Sequence, residues 1–314
     1  MLLYMSYQRR LLSKSTLGNA LAHQSAIRKV GAAYRFRYTL FSLVSMIAVT
    51  ASTAFSQQTP PRMLPDNEAE FWYKYGLDSL VHSAELVEFS KSGIDAFVKF
   101  KIESRAFSNP VNVFHHELCY DFLSTGDLVI HHKIMPDLEP ASLYTKDWFP
   151  LGYIQKVGLQ FTLAEEIEKV SWYGRGPYES YPDRKTGYKT GQYEINISDI
   201  DIPYIIPQDF DNRTDLRWLS IHSTGGNGLL ITSNELFNSS IDPYENLDRA
   251  WYPFQLKRAE NPVLNIDHQV TGVGGTPVRV RPAYRTYPKN YEYKLLLRPF
   301  NRNPDFFRLS NVEY

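Results

Sequence analysis

Two carboxylates and a guanidinium crowd one short stretch of the chain. Glu179, Asp183 and Arg184 fall within Trp172-Tyr173-Gly174-Arg175-Gly176-Pro177-Tyr178-Glu179-Ser180-Tyr181-Pro182-Asp183-Arg184. Carboxylates this close raise the chemistry of general acid–base catalysis, in which one carboxyl gives a proton and another takes one. The same residues also suit a structural task. Gly174 and Gly176 permit positive φ, while Pro177 and Pro182 fix φ and withhold donors. Such a loop carries orphan amides, and acids in it need donors. Glu179 and Asp183 are therefore expected to pair with Arg184, Arg175 or backbone amides rather than to catalyse.

The histidines raise metal chemistry, in the pairs His115-His116 and His131-His132. Neighbours on a strand point to opposite faces, so neither pair forms a site by itself, and no metal site is expected. Cys119 is the single cysteine, which excludes an internal disulfide, and it reads as a small core hydrophobe.

Strands must position these groups. Residues 84–89, 96–102, 111–122 and 128–135 alternate with period two between turn signals, which predicts long antiparallel strands and a β-sandwich. Residues 216–221 and 228–233 predict a hairpin around Ser223-Thr224-Gly225-Gly226-Asn227. Residues 263–267 and 291–297 add further strands. Short helices are expected only near Phe71–Gly76 and Asn246–Arg249.

The chain has 314 residues, 43% hydrophobic and 14% aromatic, ample for a packed core. Its zero net charge hides an asymmetry: eight basic residues and no acid precede Asp66, leaving 26 basic against 34 acidic from Asp66 onward. An acidic body gives no support to nucleic-acid binding. Arg28 to Arg37 and the apolar run 41–51 resemble a leader, with small residues at Ala54 and Ser56 where cleavage would fall. The run is shorter than the roughly 20 residues of a membrane span, so no span remains after leader removal. Residues 1–56 thus read as leader, 57–65 as linker and 66–314 as the folded body. The leader implies a secreted or periplasmic protein, or a cytoplasmic one if the true start lies downstream.

The glycine-proline stretch continues as Ile202-Pro203-Tyr204-Ile205-Ile206-Pro207-Gln208 and Asn212-Arg213-Thr214-Asp215-Leu216-Arg217-Trp218. Together these resemble the C-terminal domain of glycoside hydrolase family 2 β-galactosidases. Leu264-Asn265-Ile266-Asp267 and Gly272-Val273-Gly274-Gly275 resemble a further hallmark of that domain. The resemblance implies a large antiparallel supersandwich, like the galactose mutarotase fold, without its first strands. Trp172, Gly174, Gly176, Pro177, Glu179, Tyr181, Asp183 and Arg184 would be its structural signature.

In that family the catalytic glutamates sit on a (β/α)8 barrel, for which no β-α alternation exists here. No catalytic residue is therefore assigned. No cofactor is expected in this chain, since the family's Mg or Na sites lie outside this segment. A tryptophan that stacks on substrate follows the family's glycine turn; here Thr276-Pro277-Val278-Arg279 follows instead. Gly275, Thr276 and Arg279 stay candidate sugar contacts, with Trp148 and Tyr153 of an aromatic loop at 143–153. Three functions follow. One is a portion of a β-galactosidase, inactive alone, with a barrel-containing chain as partner. The second is a free-standing carbohydrate-binding module. The third is a mutarotase-like epimerase using His222 or His268 with Glu179 as acid and base.

Overall fold

The computed structural model describes residues 79–107, 110, 112–138, 153–247, 249–274, 280–302 and 304–311. The expected helix at Phe71–Gly76, the substrate candidates Trp148, Gly275, Thr276 and Arg279, and the leader all lie outside them.

The described chain is antiparallel throughout. A meander opens it: β1 (Leu80–Ser92), β2 (Asp95–Ala106), β3 (Val113–Phe122) and β4 (Leu128–Asp137). There follow β5 (Lys156–Thr162), β6 (Lys169–Gly176), β7 (Lys189–Asn196), β8 (Arg213–His222), β9 (Asn227–Tyr244), β10 (Arg258–Val270) and β11 (Tyr291–Asn301). A short helix, α1 (Phe306–Ser310), ends the described chain. Alternation drives the pairing. In β2, Val98, Phe100, Ile102 and Ser104 are buried while Lys101, Glu103 and Arg105 are exposed.

The sheet becomes a sandwich at β9. Its first half, Asn227–Ser233, bonds β11, and its second half, Asn238–Asp242, bonds β10 on the same edge. One long strand thus serves two layers, a corner of the kind that turns sheets on each other. β10 then carries β5, whose Val157 lines one cleft with Phe114 and His116 of β3 and His132 and Ile134 of β4. The core between the layers includes Phe100, Leu118, Ile130, Leu159, Trp172 and Ile266. A second, smaller cluster of Trp218, Leu230 and Phe300 lies on the outer face, where Phe306 and Leu309 of α1 cover it.

Three expectations need correction. At Asn246–Arg249 the described residues lie in a hydrogen-bonded turn rather than a helix: the Asn246 carbonyl accepts from both Arg249 and Ala250, and Gln255 Oε1 then captures the Trp251 and Tyr252 amides. Cys119 is not a core residue. The alternation of β3 sends Leu118 and Tyr120 inward, leaving Cys119 half-buried opposite Lys99 and His131. Tyr153 is no platform for sugar; it is buried, with the Arg285 guanidinium 5.0 Å from its ring centre.

Candidate functional site

β6 carries the glycine-proline stretch into the loop that follows it. The Trp172 indole donates to the Arg175 carbonyl at 2.9 Å, and the Gly176–Pro177 bond is cis. Gly174 is dictated by space, since a Cβ there would lie 2.4 Å from Leu216 Cδ2. The loop beyond is tied to β8. The Ser180 amide donates to the Asn212 carbonyl at 2.6 Å, and Asn212 Nδ2 donates to the Ser180 carbonyl at 2.7 Å.

Each acid of this region is engaged. Glu179 Oε1 accepts from Arg184 and from the Tyr204 hydroxyl, and its Oε2 accepts the Asp211 amide at 3.0 Å. Burial, followed by that contact with Glu179, pushes the Tyr204 hydroxyl up to about 12. Asp211 holds Arg213 with both oxygens, at 2.8 and 2.7 Å, and Arg213 in turn lies 4.4 Å from the Trp172 ring centre. Burial raises the Asp211 carboxyl against the pull of Arg213. Asp215 accepts from Arg175 Nε at 2.7 Å and Lys185 Nζ at 2.6 Å. Burial opposes its ionisation, but these two donors win and hold its pKa below the usual range.

Asp183 reaches furthest. Its Oδ1 accepts the Val273 amide at 3.0 Å and its Oδ2 the Gly274 amide at 2.7 Å. A Cβ at Gly272 would sit 2.5 Å from the Asp183 carboxyl carbon, so glycine alone lets the turn close on the carboxylate. Gly274 holds a φ of 64°, in the left-handed region.

Two further polar groups lie inside the body. Lys156 Nζ donates to Asp209 at 2.9 Å with both side chains largely buried. Near them Asp267 is 2% exposed, its Oδ2 has no hydrogen-bond partner, and burial pushes its carboxyl up to about 7 against the charge of Lys156. The second group is a run of histidines. His82 Nδ1 meets Ser104 Oγ at 2.7 Å, which meets His116 Nε2 at 2.9 Å. His116 Nδ1 meets His132 Nε2 at 3.0 Å, and His132 Nδ1 meets the Tyr293 hydroxyl at 3.0 Å. A narrow, mostly apolar cleft, with room for little more than a water molecule, lies beside His116 and His132. Burial lowers the pKa of all three, to about 4 for His82 and about 3 for His132.

The other member of each pair points outward, His115 toward Glu103 and His131 toward Glu292. Among the described residues no group of three His, Cys, Asp or Glu side chains is placed to hold a metal ion. The acid–base pairing of His222 or His268 with Glu179 is not assembled. His222 lies 3.6 Å from Glu194, and His268 stacks on Tyr293 with ring centres 5.0 Å apart. Neither ring is among the partners of Glu179.

A family model described as β-galactosidase small chain matches residues 31–297. The chain belongs to the β-galactosidase small-chain family. A β-galactosidase of Priestia megaterium is 30% identical over 46% of this chain and 15% of that protein. One from Kluyveromyces lactis is 30% identical over 71% of this chain and 21% of its own length. A GalM/aldose epimerase homologue from C. elegans has a TM-score of 0.38 at 11% identity, covering 69% of each chain. The chain thus spans less than a quarter of the curated β-galactosidases quoted. For a β-galactosidase small chain the central motif has a clear geometry: its acids bind donors of the same domain. Reading the sequence locally missed the Asp183–Gly274 contact and the buried Asp267. The only signal for the first was that both segments resembled the same domain.

Proposed function

We propose that this chain is the C-terminal sandwich portion of a β-galactosidase, that it cleaves no glycoside alone, and that it works beside a barrel-containing chain. One observation carries the reading. Glu179, Asp183 and Asp215, the acids of the family motif, and the adjoining Asp211 are all committed to donors within the domain, leaving none of the four poised as nucleophile or acid. The Asp183 clamp supports a positioning role, because it fixes the backbone immediately before Gly275, Thr276 and Arg279, which we propose as sugar contacts with Trp148. The family's metal ions belong to the partner in this reading, and the leader at residues 1–56 directs the chain out of the cytoplasm. Assay of the purified chain on a chromogenic β-galactoside, with and without a barrel-containing chain, tests the proposal. Turnover by the isolated chain, abolished by changing one of its own carboxylates, overturns it.

A second reading has its own observation. Trp251, Tyr252 and Phe254 project from the loop between β9 and β10, with Tyr252 and Phe254 stacked at 5.6 Å and Phe254 83% exposed. Aromatic faces of this kind stack on sugar CH groups. A carbohydrate-binding module would show saturable galactoside binding that Phe254→Ala weakens.

A further inference from the structure

β1 is the outermost strand of the meander: β2 bonds one edge, and among the described residues nothing bonds the other. Residues directly opposite in an antiparallel pair share a face. Ala84 and Leu86 stand opposite Ile102 and Phe100, and Phe89 stands opposite Val98 beyond the irregularity between Leu86 and Glu88. These side chains therefore point to the core. On β2 that face is sealed, with Val98 2% and Phe100 1% exposed. On β1 it is open: Leu86 is 46% exposed, Phe89 51%, and Ile94 in the next turn 48%. The opposite face of β1 carries Ser83, Glu85, Glu88 and Ser90, all exposed. That alternation belongs to a strand whose inner face is meant to be covered. An open core beside an edge that no described strand bonds fits one kind of occupant, an extended segment with apolar side chains at alternate positions.

We infer that this edge is the docking surface for the larger, barrel-containing chain of a β-galactosidase, which adds a strand to β1 and covers Leu86, Phe89 and Ile94. The inference rests on the proposed function and names the surface through which it acts. The larger chain is favoured because the relatives carry at least 79% of their length beyond what this chain spans, so most of the enzyme must meet this domain. A second copy is disfavoured, since pairing β1 with itself sets the Glu85 and Glu88 faces side by side.

The test uses the full chain, alone and with a Priestia megaterium β-galactosidase truncated before the stretch that matches it. Backbone amide exchange is followed across residues 80–92, and association by sedimentation. The β1 amides that face away from β2 should exchange quickly in the free chain and slow on complex formation. Leu86→Lys and Phe89→Lys should each weaken association at least tenfold while melting at the wild-type temperature. A complex that forms without protecting β1, or one indifferent to both substitutions, overturns the surface and leaves the proposed function standing. Slow exchange in the free chain overturns the surface as well, because the edge is then already covered. Fast exchange with no complex overturns the proposed partner, and association of the chain with itself through β1 replaces it with a second copy.

Discussion

Asp183 and Gly274 stand 91 residues apart in sequence, yet the Asp183 carboxylate accepts the Gly274 amide at 2.7 Å. The contact joins the glycine-proline loop after β6 to the glycine turn after β10. Gly272 supplies the clearance. Replacing Asp183 with Ala strands two amides and should cost about 1–2 kcal/mol, toward the low end because water reaches the site. Gly272→Ala should cost a similar amount by pushing the carboxylate away. The two losses should not add: in an Asp183→Ala background, Gly272→Ala should be nearly neutral. Urea denaturation of the four species makes the cycle, and strict additivity would refute the clamp.

The Lys156–Asp209 pair lies inside the body, with side chains 4% and 12% exposed. Lys156→Met removes the buried cation beside Asp209 and Asp267. The expected loss is about 3–5 kcal/mol, the range for breaking one partner of a buried pair. A loss under 1 kcal/mol by chemical denaturation would show the pair to be solvated.

The run through His82, His116 and His132 makes the protein acid-sensitive. Burial lowers all three pKa values in the fold, while the unfolded chain titrates near 6.5. Below that pH the unfolded state binds more protons, so stability falls, by about 1.4 kcal/mol per pH unit for each histidine. Unfolding free energies between pH 7 and pH 5 should drop steeply. His116→Gln should flatten the slope by about one proton, whatever it does to stability at pH 7. An unchanged slope would remove His116 from the titrating set.

Asp267 has the opposite sign. Its carboxyl is raised in the fold to about 7, so its stabilising contribution is complete below the unfolded value of 3.8 and is lost as pH rises through 7. Asp267→Asn, which keeps the shape without the charge, should gain on the wild type steadily as pH rises from about 4 to 7 and hold that margin at pH 8. The comparison needs only two melting curves at each pH. A variant no more stable at pH 8 would mean that Lys156 fully compensates the ionised carboxylate.

Local chemistry made the strands legible, because alternation with period two and glycine-bearing turns is written into neighbouring residues. The hairpin about Ser223–Asn227 and the strands of the meander needed nothing else. β7 was not anticipated, although Tyr193 and Ile195 alternate with Gln192, Glu194 and Asn196; its inward positions are only half-buried, and β6 offers it an edge. The family was legible for a different reason, since a long and chemically varied run such as residues 172–184 does not recur by chance. Alternation also fixed that His115 and His116 must face opposite ways. Which of them faces inward was decided by register, which sets His116 beside Ile102 and Ile134 across the sheet. The same register turned Cys119 outward. The partners of Asp183 and the burial of Asp267 arise only when strands distant in sequence pack together. Spacing along a chain constrains which side chains share a face, but contact between faces depends on how the layers close.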